Sequence, residues 1–388
     1  MKAFKLVTIR LRFGTLMAEQ EAWLMTAGTG NGQRIRHTAA KKVTLAHVAK
    51  AAGVSQATVS MVLNGREGVS FADETIAAVF SAAENLGYRG GRRAFGGPST
   101  PSVLLVAPNV TNPYYSTVIQ AIQQAAGLRG YATCIYTTYR SLENELEALQ
   151  FARSMGMAGI IFAMLAHPEE VLEKTDRKLP MVVIGDRRQD LSVDTVELNN
   201  YDAGSLIARH MHDLGHKHLA YISTTLDEAN PIRTQRLQGL RDTFGQLCPE
   251  GSVQVKSRDI SPEIELENVQ IEHLVGRELA RKCLDDKKIT AFVAVNDMVA
   301  YGVIDAVREG GYSIPADYSV CGFDNIFPSG FAGIDLTTVE HYMRDKGRNA
   351  LEILHNKIRG TASDRNITRV EYSHQLITRA STAPPRAV

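Results

Sequence analysis

A chain of 388 residues with 44% hydrophobic and 22% charged content is long enough for two or three globular domains, and it excludes a chain disordered throughout. The formal charge of +1 is unevenly spread: residues 34–97 carry nine Lys/Arg against four Asp/Glu, residues 1–33 add +2, and −6 is left for the rest. A basic end suits phosphates and an acidic body repels them, and no apolar run approaches the ~18 residues of a membrane span.

Residues 1–42 read as a poorly ordered leader. Lys2, Lys5, Arg10 and Arg12 are followed by no apolar stretch of the kind a secretory signal needs, so export is not expected, and Met17 and Met25 are alternative starts. Residues 43–64, VTLAHVAKAAGVSQATVSMVLN, spell two short helices joined by a tight turn. Leu45, Val48 and Ala49 form the apolar side of the first, and Val54, Val59 and Val62 the inner side of the second. Gly53 supplies the positive φ that ends one helix, Ser55 caps the next by accepting from the Thr58 NH, and Ala49 is small enough for a sharp crossing. Gln56, Ala57, Ser60, Met61 and Asn64 then share the outer face, where a helix laid in the major groove presents its side chains to base edges. Residues 73–86 form a third helix whose Ile76, Val79, Phe80, Ala83 and Leu86 are expected to close a small core, completing a headpiece over 43–88. YRGGRRAFGGPSTPS, within 88–102, is a linker.

From Val103 the pattern changes to short apolar runs alternating with amphipathic helices. Strands are expected at 103–107, 132–136, 159–163 and 181–185, and again at 218–223, 253–257, 291–295 and 319–323. Helices fall near 113–129, 142–155, 168–175, 201–214, 232–247, 269–284 and 298–310. The tail adds TTVE at 337–340, a helix from Met343 to Ile358 and one alternating strand near 369–377. The expected fold is α/β: an all-α helix-turn-helix headpiece followed by two doubly wound, parallel-sheet lobes over 103–380, lobe 1 from 103–200 with 341–367 and lobe 2 from 201–340 with 368–380. A late helix returning to the first lobe makes several crossings and a hinged cleft.

In such sheets ligands bind beyond the carboxyl ends of the strands. There the sequence places Asn112-Pro113-Tyr114-Tyr115, Asp186-Arg187, Asn296-Asp297 and Asp324-Asn325, with Arg236 on a helix surface. Amides, carboxylates, an arginine and aromatic rings together suit a hydroxyl-rich ligand, although Asp297 alone equally reads as a helix cap and Asp324 as a strand end. His210, His212, His216 and His218 cluster, but 210 and 212 point apart on a helix and no cysteine or carboxylate completes a zinc spacing, so no metal and no cofactor are expected. There is no GxSxG elbow and no phosphate-binding loop, and GTGNG at 28–32 lacks a preceding strand, so no catalytic residue is assigned. Cys134, Cys248, Cys283 and Cys321 never form CxxC and read as reduced thiols of a cytoplasmic protein, with one bridge left open.

These residues resemble the LacI/GalR family of bacterial transcription repressors from about Val43 to Arg379. The headpiece motif carries the likeness with GYR (87–89), NPYY (112–115), NNYDAG (199–204), HMHDLGHKHLAYI (210–222), RLQGL (236–240), the run from Ala294 to Asn325, and LTTVE (336–340). The resemblance implies a periplasmic-binding-protein-like core that dimerises, binds a small effector and controls a headpiece on near-palindromic double-stranded operator DNA. The implied DNA-contacting set is Thr44, Ser55, Gln56, Ala57, Thr58, Ser60, Met61 and Asn64, with Arg92, Arg93 and Phe95 from the hinge. The effector set is Asn112, Tyr114, Tyr115, Asp186, Arg187, Arg236, Asn296, Asp297, Asp324, Phe327 and His341. Three departures stand out. Met61 occupies an arginine place, which shifts operator preference. Gly97 occupies the place of a hinge leucine that wedges into the minor groove, leaving Phe95 as the substitute wedge. His341-Tyr342 replaces Gln-Pro at the cleft. A sugar or sugar phosphate is the expected effector, with a purine corepressor or a solute-binding protein without DNA function as alternatives.

Overall fold

The computed structural model describes residues 7–9, 43–63, 71–86, 100–175, 179–186, 192–227, 230–361 and 366–386. It divides into two units, one spanning 12–100 and the other joining the first residues to the chain from Pro101 onward.

The smaller unit contains α1 (Leu45–Ala52), α2 (Gln56–Leu63) and α3 (Asp73–Asn85). Gly53 ends α1 at φ 67° with its N–H on Ala49 O, the left-handed conformation that a residue without Cβ adopts at least cost. The Ser55 hydroxyl accepts from Thr58 N at 3.0 Å. Val48, Ala49, Val59, Val62, Val79, Ala82 and Ala83 form the core. Phe80 and Leu86, expected inside, stand 52% and 37% exposed. The stripe is narrower than the sequence suggests because Ala82 and Ala83 let α3 approach on small side chains.

The larger unit holds two sheets. The first is built from β2 (Ser102–Ala107), β3 (Ala132–Thr137), β4 (Gly159–Phe162), β5 (Met181–Asp186), β6 (Asp194–Leu198) and β12 (Thr368–Tyr372), with β1 (Val7–Ile9) at one edge, in the order β1-β12-β6-β5-β4-β2-β3 and wholly parallel. The second contains β7 (His218–Ser223), β8 (Ser252–Ser257), β9 (Ala291–Ala294), β10 (Ser319–Asp324), β11 (Thr337–Glu340) and β13 (Gln375–Ile377), ordered β13-β11-β10-β9-β7-β8. Only β13 runs antiparallel to its neighbour among these described strands. Between the strands run α4 (Pro113–Leu128), α5 (Leu142–Ser154), α6 (Pro168–Glu173), α7 (Asn200–Asp213), α8 (Pro231–Leu247), α9 (Pro262–Glu267), α10 (Ile271–Arg281), α11 (Asp297–Glu309) and α12 (Met343–Ile358). Buried apolar strands under amphipathic helices give each lobe its core.

One expectation is corrected, and two strands are present where none was expected. The strand expected over 369–377 is two: Ser373-His374 break it, β12 pairs with β6 in the first sheet, and only β13 joins the second. Residues 368–372 thus belong to lobe 1. DTVEL at 194–198 is a strand although it carries two carboxylates, because Asp194 pairs with Lys357 of α12 and Glu197 with Arg369 of the neighbouring β12. Within the expected leader, residues 7–9 form β1, parallel to β12. The returning helix is present: α12 packs on α4, β4, β5 and β6. The chain therefore passes between lobes three times, at 198–200, 340–343 and 372–375.

Candidate functional site

On α2, burial of Val59 and Val62 turns the opposite side outward: Gln56 and Ala57 are exposed, and Ser60 and Met61 are partly covered. Thr44 precedes α1 and receives a return contact from the helix's third residue, Thr44 N donating to His47 Nδ1 at 3.0 Å. Ser55 and Thr58 bond each other through their hydroxyls at 2.9 Å, so part of their capacity is spent on the turn. Asn64, Arg92, Arg93 and Phe95 lie outside the described residues.

In the larger unit, a cleft of about 600 Å³, its open mouth included, lies between the two sheets. The carboxyl ends of the strands, with the loops and helices that follow them, line it: Asn112, Tyr114 and Tyr115 after β2, Arg140 after β3, Met164 after β4, the Gly185 backbone in β5, Leu198 and Asn200 at and after the end of β6, Asn230, Ile232, Arg233 and Arg236 after β7, Val295 and Asn296 after β9, Asp324 ending β10, and His341 after β11. Glu272 of α10 and Lys346 of α12 complete the lining.

Arg236 organises the floor. Its guanidinium donates to Asn200 Oδ1 at 3.0 Å, Val295 O at 2.7 Å, Asp324 Oδ1 at 3.0 Å and His341 Nδ1 at 3.2 Å, and lies over the Phe323 ring. Since arginine can only donate, His341 Nδ1 accepts and Nε2 carries the ring proton. Burial holds this imidazole neutral, well below its ordinary pKa, with Arg236 and Lys346 adding to the effect. Burial likewise raises Asp324 to about 6 despite Arg236 beside it. The two helix-capping asparagines each serve twice: Asn112 and Asn296 accept from Tyr114 N and Val299 N with their oxygens, while their amide nitrogens both donate to Glu272, at 2.8 and 3.1 Å. Asn112 lies in lobe 1 and Glu272 in lobe 2, so this bond crosses the mouth. Arg140 to Glu265 is a second bridge. Tyr114 and Tyr115 stand edge to face at 89°. Amides, a carboxylate and aromatic edges around one polar cavity bind hydroxyl groups directionally.

Of the expected effector residues, Asn112, Tyr114, Tyr115, Arg236, Asn296, Asp324 and His341 meet in this cleft. Two are corrections. Asp297 is fully buried away from it, its carboxylate accepting from Ile326 N, Ser329 Oγ and Thr338 Oγ1, so it fastens the loop after β10. Phe327 is 69% exposed and packs edge-on against Phe331 at the surface. Asp186 ends β5 directly after the cleft-lining Gly185, and Arg187 lies outside the described residues. Sequence reading missed Arg140, Asn200, Arg233, Glu272 and Lys346. Asn200 and Arg140 follow strand ends and were findable by that rule, whereas Glu272 and Lys346 sit within helices and carry no local signal. Three of the four clustered histidines hold structural bonds: His210 bonds Thr382, His216 bonds Thr290 and Ala383 O, and His218 bonds Ser252.

Residues 44–90 match the family described as bacterial regulatory proteins, lacI family, and residues 208–382 match a periplasmic binding protein-like domain. The chain is 31% identical over 343 residues to the HTH-type transcriptional repressor PurR of Mannheimia succiniciproducens, covering 87% of this chain and 98% of that one. It is 30% identical to the HTH-type transcriptional regulator DegA of Bacillus subtilis, with 88% and 99% covered. Its fold is similar to that of a LacI family transcriptional regulator from Enterococcus faecium solved with bound ribose, at a TM-score of 0.62 and 22% identity over 74% of this chain and all of that one. With a helix-turn-helix unit at one end, a two-lobed α/β core with a polar cleft, and this likeness over nearly the whole chain, the protein belongs to the lacI family of bacterial transcriptional regulators, DNA-binding proteins controlled through an effector-binding core.

Proposed function

We propose that the protein is a repressor that binds a near-palindromic operator as a homodimer in the cytoplasm, catalyses no reaction, and responds to a carbohydrate, a sugar or sugar phosphate, held between the lobes. One headpiece contributes a single short recognition helix, and a two-fold pair doubles the contact while matching two half-sites. On α2, Gln56, Ala57, Ser60 and Met61 read base edges, while Ser55, Thr58 and Thr44 add backbone contacts. The observation that carries the effector reading is the cleft lining: Asn112, Asn200, Asn296, Asp324 and Arg236 around one cavity supply paired donors and acceptors for neighbouring hydroxyls. The perpendicular tyrosines favour a sugar over a flat heterocycle, since they offer no parallel pair of faces. The ribose held by the E. faecium structure points the same way.

A mobility-shift assay of the full chain on the DNA upstream of its own gene, at fixed salt and with a panel of sugars and sugar phosphates, tests this. The expected result is a discrete shift that one sugar changes at least tenfold in affinity. A complex indifferent to every carbohydrate but released or tightened by a purine base would transfer the reading to the corepressor alternative.

A further inference from the structure

Helix α12 buries the stripe Met343, Lys346, Gly347, Ala350, Leu351, Ile353 and Leu354 against lobe 1. Every member but one is apolar or glycine. Lys346 stands where an aliphatic residue would pack without desolvation cost, yet it is 1% exposed and lines the cleft. The other cleft cations are matched: Arg236 with Asp324 at 3.0 Å, Arg233 with Glu272 at 3.4 Å, and Arg140 with Glu265. Lys346 has no carboxylate within 4 Å among the described residues; its ammonium donates to the Tyr114 hydroxyl and lies 4.7 Å from the centre of that ring. A phenol and a ring face are partial substitutes for a counter-ion.

We propose that Lys346 is the anchor for an anionic group, phosphate or carboxylate, on the effector, so that the cleft selects an acidic carbohydrate over its neutral parent. This rests on the carbohydrate reading above and narrows it. The anion supplies the close counter-ion that Lys346 lacks among the described residues, while Asn112, Asn200 and Asp324 remain for hydroxyls. Burial also lowers the Lys346 amine to about 7. The groups around it are Tyr114 from α4, Arg236 from α8, Asp324 ending β10, and Glu340, His341 and His374 from the crossings. An anion favours the protonated amine, so its affinity falls as pH rises above 7, by up to tenfold per unit.

The test uses the full chain and its Lys346→Met variant, a swap that keeps side-chain volume. Thermal unfolding is followed at constant ionic strength with chloride replaced by inorganic phosphate, and calorimetry compares glucose, glucose 6-phosphate and glucuronate at pH 6.5 and 8.5. The expected result is phosphate protection in the wild type that the variant lacks, and an anionic sugar preferred about tenfold over glucose. That preference falls to within about twofold in the variant and fades at high pH. Glucuronate has no ionisation in this range, and the second phosphate ionisation near pH 6 runs the opposite way, so a fading preference belongs to the protein. The two acids separate a phosphate from a carboxylate source. Phosphate protection dependent on Lys346 with no sugar binding would sustain the anchor and sink the carbohydrate. Glucose bound as tightly as its acids, or equal phosphate protection in both proteins, would overturn the anchor itself.

Discussion

Helices α7 and α8 touch through Gly204, where an added Cβ would lie 2.1 Å from Arg236 O and 2.8 Å from Leu240 N, both backbone atoms that cannot rotate away. Ordinary contact starts at 3.4 Å, so Gly204→Ala forces the helices apart by about 1 Å. Overpacking of this kind costs about 1–3 kcal/mol, and the better helix propensity of alanine returns only about 0.5–1. A matched control lies on α8 itself: Gly245 has nothing within 4 Å of its added Cβ, so Gly245→Ala keeps the propensity gain of about 0.5–1 kcal/mol without the clash. Denaturant unfolding followed by circular dichroism is expected to place Gly204→Ala below Gly245→Ala by the clash alone, about 1–3 kcal/mol, with Gly245→Ala above the wild type. The clash falls on Arg236, whose bonds to Val295 O at 2.7 Å and Asn200 at 3.0 Å do not survive a shift of about 1 Å. Effector response in the mobility-shift assay is therefore expected to weaken about tenfold in Gly204→Ala and to stay unchanged in Gly245→Ala. Equal stabilities for the two variants, or a full response from Gly204→Ala, would refute the claim that this contact positions the cleft.

Met61→Arg is expected to strengthen operator binding and to steepen its log–log salt dependence by about 0.9 if the new cation meets a phosphate; a binding series from 50 to 200 mM salt reads both. Gly53→Ala, at φ 67°, is expected to cost about 1 kcal/mol in the headpiece, with Gly53→Asn milder, as measured by hydrogen exchange of α1 and α2 amides. His216 is lowered to about 4 by burial, below its unfolded value of about 6.5, so its contribution is present above pH 6.5 and disappears as pH falls toward 4; His216→Gln should flatten this part of the acid unfolding curve. Asp297, raised to about 7 by burial and by Asp324, acts with the opposite sign: the folded form holds a proton that the unfolded chain releases, so stability falls between about pH 4 and 7, and Asp297→Asn should remove that slope.

What the sequence disclosed follows from how local each signal is. Parallel strands buried on both faces leave continuous apolar runs, and helix ends leave caps, so β2 to β5, β7, β9, β10 and α12 fall within a residue or two of their expected bounds. The strand-end rule then located Asn112, Tyr114, Asn296 and Asp324 without a structure, and Arg236 was read from its helix surface. The failures share a cause. DTVEL hides its strand because its acids find basic partners far away in sequence, Lys357 and Arg369. Asn296 and Asp297 are adjacent and both polar, yet the first turns into the cleft and the second into the loop at Ile326 and Ser329; only the direction of the first turn of α11 separates them. Lys346 looks like one more solvated lysine of a charged helix until α4 is packed over it.

The three crossings between lobes are bonded to one another and to the cleft, and this bears on how binding becomes a change of shape. His374 donates to Asn199 O at 2.6 Å, joining the third crossing to the first. Tyr342 stacks on Tyr372 at 5.5 Å, joining the second to the third. Tyr342 itself has φ 47°, a left-handed backbone costly for a tyrosine and of the kind that concentrates where segments switch. The rings of His341 and His374 lie 5.2 Å apart, one with an Nε2 proton short of an acceptor and the other with an Nδ1 short of a donor. Asn200 and His341 belong to these crossings and to the cleft lining at once, and Arg236 holds both. A ligand that competes for Arg236 therefore acts on the hinge directly, without a chain of intermediates. A difference of about 1–3 kcal/mol between its open and closed contacts is enough to shift a regulatory equilibrium, comparable to one charge-assisted hydrogen bond of the kind Arg236 makes four times over.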